Sequence, residues 1–220
     1  MSFLNNPRFI TGSKPVLHLL LALPFLALVY GWWAAFMGGE TWLGFNPQEA
    51  SNRFTGEWAL KVLFLSLAVT PLGVLTGSKL LVGWRRMFGL WAFFYVLAHI
   101  TSYVWLDMLF DWATLWADLT KRVYIMVGMA APLLMLPLAI TSTQAMIRRM
   151  GAARWRRLHK AVYVSGILGV VHFIMMRKGW QIEPLVYALV LAVLFGLRYK
   201  GLDKALKARR KAKKAAQQAA

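Results

Sequence analysis

Six apolar runs dominate the chain, with polar or basic segments between them: Pro15 to Met37, Glu57 to Thr76, Met87 to Leu106, Val123 to Ser142, Trp155 to Met176 and Pro184 to Tyr199. The fifth run sets the scale. It is almost wholly apolar from Leu158 onward, and as a helix it would be about 33 Å long, enough to cross a hydrocarbon core of ~30 Å. Between the runs, Gly38 to Gly56 reads as a polar loop around Asn46-Pro47, and Gly77 to Arg86 as a short connection. Thr143 to Arg157 reads as a basic loop and Arg177 to Glu183 as a tight turn. Asp107 to Arg122 mixes aspartates with Trp and Leu, which predicts an interfacial segment. The first run could also be the core of a signal peptide, but it is long for one and no A-x-A site follows. The expectation is therefore an all-α membrane protein, a six-transmembrane-helix bundle over residues 15–200, with a polar segment 1–14 before it and a basic tail 201–220 after it.

Composition supports the pattern. Of 220 residues, 59% are hydrophobic and 15% charged, where a soluble domain carries about 25% charged residues. The excess of 26 Lys and Arg over 8 Asp and Glu could suit nucleic acid. These residues instead cluster in the segments flanking apolar runs, so a lipid bilayer and no nucleic acid is the expected surrounding. With six spans, both ends share one side of the bilayer. That side holds 20 of the Lys and Arg, and the other holds 6, namely Arg53, Lys61, Lys121, Arg122, Arg177 and Lys178. The positive-inside rule then places both termini in the cytoplasm. The tail from Lys204 to Lys214 is expected near anionic headgroups. Cysteine is absent, which excludes disulfides, thiolate-held haem, Cys-ligated iron–sulfur clusters and CxxCH haem attachment. No GxGxxG or GxxxxGK[ST] follows a predicted strand, so no nicotinamide or nucleotide domain is expected.

Candidate chemistry rests on histidine. Imidazole inside a membrane span is costly unless it faces the bundle interior and has a partner. The third run starts at the cytoplasmic Arg85-Arg86 pair and the fifth after Arg156-Arg157. His99 and His172 therefore reach matching depth near the outer face, each about 20 Å along its helix from the inner level. Neutral histidine is a usual axial ligand of haem iron, and such a pair could clamp one iron from both sides. Core histidines bonded to backbone carbonyls are the other reading. His159 lies at the inner level, where the third run holds Arg85 and Arg86 rather than histidine. At ~100° per residue, His159 falls roughly 140° around the helix from His172. Either that helix bends, or His159 serves a haem propionate, a flavin phosphate or solvent. His18 also lies near the inner face and reads as an interfacial histidine. Gly83, Gly89, Gly166 and Gly169 could admit a flat macrocycle or simply close helix packing. Trp91, Phe93, Phe94, Tyr95, Tyr103 and Trp105 could wall a haem or serve as core and interface anchors.

Several stretches carry a resemblance. They are Phe54-Thr55-Gly56, Thr70-Pro71-Leu72, and Arg85-Arg86 with Gly89-Leu90-Trp91 leading to His99-Ile100-Thr101-Ser102-Tyr103. Further on come Arg122-Val123-Tyr124-Ile125, Thr141-Ser142-Thr143-Gln144-Ala145-Met146, and Trp155-Arg156-Arg157-Leu158-His159-Lys160 through to His172. Together they resemble the haem-binding membrane subunits of the bacterial methionine-sulfoxide reductase system, the MsrQ (YedZ) family of the ferric-reductase-like transmembrane superfamily. The resemblance implies a multi-pass protein of the bacterial inner membrane that carries b-type haem and associates with a flavin, FMN. It implies electron delivery to a periplasmic molybdenum-containing methionine-sulfoxide reductase, without sulfoxide reductase activity in this subunit alone.

By the family pattern, His99 and His172 are the outer haem ligands, and His159 with Arg85 belongs to an inner site. The wider superfamily carries paired histidines on both helices, whereas the third run here carries one, which leaves the count at one haem or two. Relatives with a soluble flavin/nicotinamide domain carry it after the last span, where this chain has its basic tail. Electrons would then come from a cytoplasmic flavin reductase or from membrane quinol. Two other readings stay open from the residues: a quinol-oxidising or metal-reducing cytochrome b, and a cofactor-free transporter or scaffold.

Overall fold

An Asn-Pro pair opens each of the first two long helices in the computed structural model, which describes residues 6–76, 78, 80–177, 181–198 and 207–208. Asn6 Oδ1 accepts the Arg8 amide at 2.9 Å, and Pro7, which has no amide to satisfy, begins α1 (Pro7–Phe36). Pro15 lies inside α1, so the expected boundary between residues 14 and 15 falls within a continuous helix. Asn46 repeats the device. Its Oδ1 accepts the Glu49 amide at 3.1 Å while its Nδ2 donates to the Glu49 carboxylate at 3.2 Å, so α2 (Pro47–Thr76) starts well before the apolar run at Glu57. Half of the expected 38–56 loop is therefore helix.

The remaining elements are α3 (Val82–Thr101), a π-helical continuation (Ser102–Asp107), α4 (Trp112–Lys121), α5 (Val123–Ile140), α6 (Gln144–Met150), α7 (Ala152–Leu158), α8 (Ala161–Met176) and α9 (Ile182–Gly196). No strand occurs among the described residues. The expected interfacial segment after Asp107 contains α4, which leaves Trp112 and Trp116 exposed on neighbouring turns. The expected basic loop folds into α6 and α7, capped by the Thr143 hydroxyl and separated at Gly151, whose φ of 79° lies in the left-handed region.

Five stretches are long and apolar enough to cross a membrane: Pro7–Phe36, Pro47–Thr76, Val82–Asp107, Val123–Ile140 and Ala152–Met176. The last contains a break. His159 (φ −68°, ψ −2°) ends α7 and α8 restarts at Ala161, so the expected continuous helix is interrupted at the inner histidine. α9 is apolar but has 15 residues, about 22 Å of helix and short of a ~30 Å core. Lys178 and nearly all of the basic tail lie outside the described residues.

α2 is the centre of the bundle. It packs along α3, while α5 packs along α8; α1 leans on α2 and α3, and α9 on α8 and α2. Val62 and Leu67 of α2 and Ala92 and Tyr95 of α3 are wholly buried, with the Tyr95 hydroxyl donating to the Leu21 carbonyl at 2.7 Å. The glycines singled out in sequence serve packing: a Cβ on Gly169 would meet Leu60 at 2.9 Å, and one on Gly166 would meet Leu191 at 3.5 Å. Pro71 inside α2 removes the amide that would bond the Leu67 carbonyl. Arg198, from beyond α9, donates to that carbonyl instead.

Candidate functional site

The bundle seats two imidazoles in matching ways. His99 on α3 places Nδ1 2.9 Å from the Asn52 carbonyl of α2, and His172 on α8 places Nδ1 2.7 Å from the Tyr124 carbonyl of α5. A carbonyl can only accept, so both Nδ1 atoms carry the proton, and in the neutral rings both Nε2 atoms keep a lone pair. Each ring rests where a glycine leaves room one turn after its acceptor. A Cβ on Gly56 would stand 3.1 Å from the His99 ring, and one on Gly128 would stand 2.5 Å from His172 Nδ1. The two ring centroids are 6.3 Å apart at 72°. Imidazoles ligating one metal from opposite sides, with bonds of about 2 Å, have centroids roughly 6 Å apart. The separation of the two rings thus matches that of two imidazoles on one metal.

Neighbouring groups hold this pair in register. Asn52 uses its side chain as well, donating to Ser102 Oγ at 3.2 Å, while Ser102 Oγ donates to the His99 carbonyl at 2.8 Å. The π-helical turn follows directly, and such turns often sit at functional sites. On the His172 side, Arg122 Nη1 donates to the Tyr124 hydroxyl at 3.2 Å and its Nε meets Asp118 at 2.9 Å. Asp118 is buried and also accepts from the Tyr103 hydroxyl at 2.5 Å. The Tyr124 hydroxyl first, and Asp118 after it, hold Arg122 more firmly protonated than usual. Tyr103 therefore belongs to a polar network, and Trp105 is exposed at the surface. An open recess of about 380 Å³ is lined by Trp42, Asn46, Glu49, Arg53, Phe54 and Glu57.

The other expected residues lie apart from this pair. The His159 ring stacks on Trp155 with centroids 3.9 Å apart, and its Nε2 is 3.1 Å from Thr141 Oγ1. That hydroxyl gives its proton to the Pro137 carbonyl at 2.6 Å, so His159 Nε2 is the donor and Nδ1 keeps the lone pair. The Arg85 carbonyl accepts from Ser66 at 3.0 Å. His18 is exposed and accepts the Trp91 indole N–H at 2.8 Å through Nδ1. Arg177, expected on an outer turn, is largely covered and bound to Glu183 at 2.7 Å and Glu57 at 4.0 Å. Among the described residues no group of three or more His, Cys, Asp or Glu could hold a metal ion. Sequence reasoning missed Asn52, Gly56, Tyr124 and Gly128. Gly128, inside the fourth apolar run, was the available signal for one seat, whereas Gly56 closes what the sequence reads as a polar loop.

Residues 55–183 match the family described as ferric reductase like transmembrane component. The chain is 51% identical to the protein-methionine-sulfoxide reductase heme-binding subunit MsrQ of Rhodospirillum rubrum over 168 residues, 76% of this chain and 80% of that protein. It is 45% identical to the protein of the same name from Azospira oryzae over 199 residues, covering 90% and 83% of the two chains. With that from Xanthomonas campestris pv. campestris it shares 42% identity over 189 residues, 86% of each.

Proposed function

As a member of the ferric-reductase-like transmembrane family, within its MsrQ haem-binding subunits, the chain is, we propose, a membrane haem b protein that conducts electrons to a methionine-sulfoxide reductase. The observation that carries the reading is the His99–His172 pair, two rings 6.3 Å apart with both Nδ1 protons spent on facing helices. His99 and His172 would hold the haem iron, and the haem would supply one-electron chemistry at that level. The chain's own share is to fix both tautomers, exclude water with the apolar bundle and hold the rings at one separation. Arg85 and His159 would frame an inner site for FMN or a second haem, with His159 a stacked, hydrogen-bonded wall.

Six spans with both termini cytoplasmic in a bacterial inner membrane complete the proposal, with residues 15–200 as the haem domain and 201–220 as a basic cytoplasmic tail. Electrons would enter from a cytoplasmic flavin reductase or quinol and leave to a periplasmic molybdenum-dependent reductase, and the subunit alone would not reduce sulfoxide. The periplasmic partner would dock over the recess lined by Glu49 and Arg53 and over α4, where Trp112 and Trp116 are exposed.

Purified protein should show a reduced-minus-oxidised spectrum of low-spin, six-coordinate haem, and His99→Ala and His172→Ala should each abolish it. If both variants keep the wild-type spectrum per mole of protein, the clamp assignment is wrong. His159→Ala should lower inner-site cofactor content and leave that spectrum in place; complete haem loss in an inserted protein would reverse the ranking of the two sites.

A further inference from the structure

One carboxylate is buried among the described residues, and it lies just beyond the histidine pair. Asp118, on the last turn of α4, keeps only 7% of its side chain exposed. Its Oδ2 accepts the Tyr103 hydroxyl at 2.5 Å and its Oδ1 meets Arg122 Nε at 2.9 Å. Arg122 is the single residue joining α4 to α5, and its amide bonds the Asp118 carbonyl at 3.0 Å, so the two charges share one closed turn. Each reaches a histidine through a tyrosine. Tyr103 follows His99 by four residues, about 6 Å of helical rise. Tyr124 takes Arg122 Nη1 on its hydroxyl at 3.2 Å and His172 Nδ1 on its carbonyl at 2.7 Å, and its ring lies 6.5 Å from the His172 ring. A buried ion pair is weak support for stability, since apolar groups of the same volume often serve as well. Its place against the two rings gives it another use.

We propose that Asp118 and Arg122 set the reduction potential of the haem iron held by His99 and His172, the carboxylate lowering it and the guanidinium raising it. The proposal rests on the haem reading given above. Reduction removes one positive charge from the iron, so a fixed anion nearby favours the oxidised form and a fixed cation the reduced one. Over distances on the order of 10 Å, at an effective dielectric of ~20, one unit charge biases such an equilibrium by roughly tenfold. The two charges do not cancel. Asp118 is buried, whereas half of the Arg122 side chain is exposed and screened by water and salt. The carboxylate therefore prevails, and the pair holds the potential down, which favours passing the electron on.

The test is a spectroelectrochemical titration of the haem-loaded full chain in phosphatidylcholine discs at pH ~8, well above the ordinary carboxylate range. Asp118→Asn keeps an oxygen for the Tyr103 hydroxyl and loses the charge, so the midpoint should rise by about 59 mV, tenfold for one electron. Arg122→Gln should lower it by less, and the drop should shrink as salt is raised. Tyr103→Phe leaves both charges in place and should move the midpoint far less than Asp118→Asn does. A role confined to holding the rings would shift Asp118→Asn and Arg122→Gln in the same direction, because both break one network. Shifts of one sign or of reversed signs, no shift in either, or a Tyr103→Phe shift as large as that of Asp118→Asn would overturn the proposal. If Asp118→Asn does not insert, Arg122→Gln decides by its sign alone: a lowered midpoint supports the proposal, and an unchanged or raised one overturns it. A wild type without low-spin haem would sink the haem reading and the proposal with it. Normal haem whose midpoint ignores both charges would sink the proposal alone.

Discussion

At the scale of single residues, the two histidines depend on what their neighbours lack. A methyl group on Gly128 would lie 2.5 Å from His172 Nδ1, so Gly128→Ala must push the ring off the Tyr124 carbonyl. Groups that orient a metal-ligating histidine are worth about 10–100-fold in metal affinity, and Gly128→Ala should lower haem occupancy by roughly that range. Gly56→Ala meets the His99 ring at 3.1 Å; the ring needs to yield only slightly, and occupancy should fall far less. Pigment content per mole of inserted protein measures both, and equal losses would show that the glycine seats do not set ring position. The depth match of His99 and His172 was legible in the sequence because helical rise converts residue numbers into depth. Their acceptors were not, since they lie 47 and 48 residues away on other helices. Periodicity along one helix carries no information about which carbonyl of another helix it will face.

At the scale of elements, the sequence pattern found the apolar interiors of helices and misplaced their polar ends. α2 reaches back to Pro47 because Asn46 and Glu49 satisfy its first amides, a local signal that hydropathy does not see. The 140° mismatch between His159 and His172 was legible in the sequence, but the interruption of the helix at His159 was not. α4 carries a testable cap. Asp111 accepts the Ala113 and Thr114 amides at 3.0 and 3.1 Å and the Thr114 hydroxyl at 2.7 Å. The Thr114 contacts, hydroxyl first, hold the Asp111 carboxyl below its usual range. A lowered folded value means the cap contributes fully above the ordinary carboxylate range and is lost as pH falls through the lowered value. Acidification should therefore lower the protection of the Thr114 amide relative to its intrinsic exchange rate at the same pH, and Asp111→Ala should do so at neutral pH. An exchange rate unmoved by the substitution would remove the cap from the account of α4.

At the scale of the whole molecule, α9 decides the topology. Five stretches are long enough to span, which alone would put the ends on opposite sides; a sixth crossing by the 15-residue α9 puts them together. The absence of native cysteine makes single reporters clean. Ser2→Cys and Gln217→Cys should both resist an impermeant thiol reagent applied from outside, whereas Glu40→Cys should react. A Gln217→Cys that labels from outside while Ser2→Cys stays protected would reduce the bundle to five crossings. The histidine seats have a mechanical consequence at this scale. Each ring is tied to the backbone of a different helix, α3 to α2 and α8 to α5, so the pair works as a vernier for how those helices slide. A slip of one residue, about 1.5 Å along the axis, would part each proton from its oxygen. The colour of the protein would then report lengthwise strain in the bundle, and a thicker or thinner bilayer would be read out as a change in its spectrum.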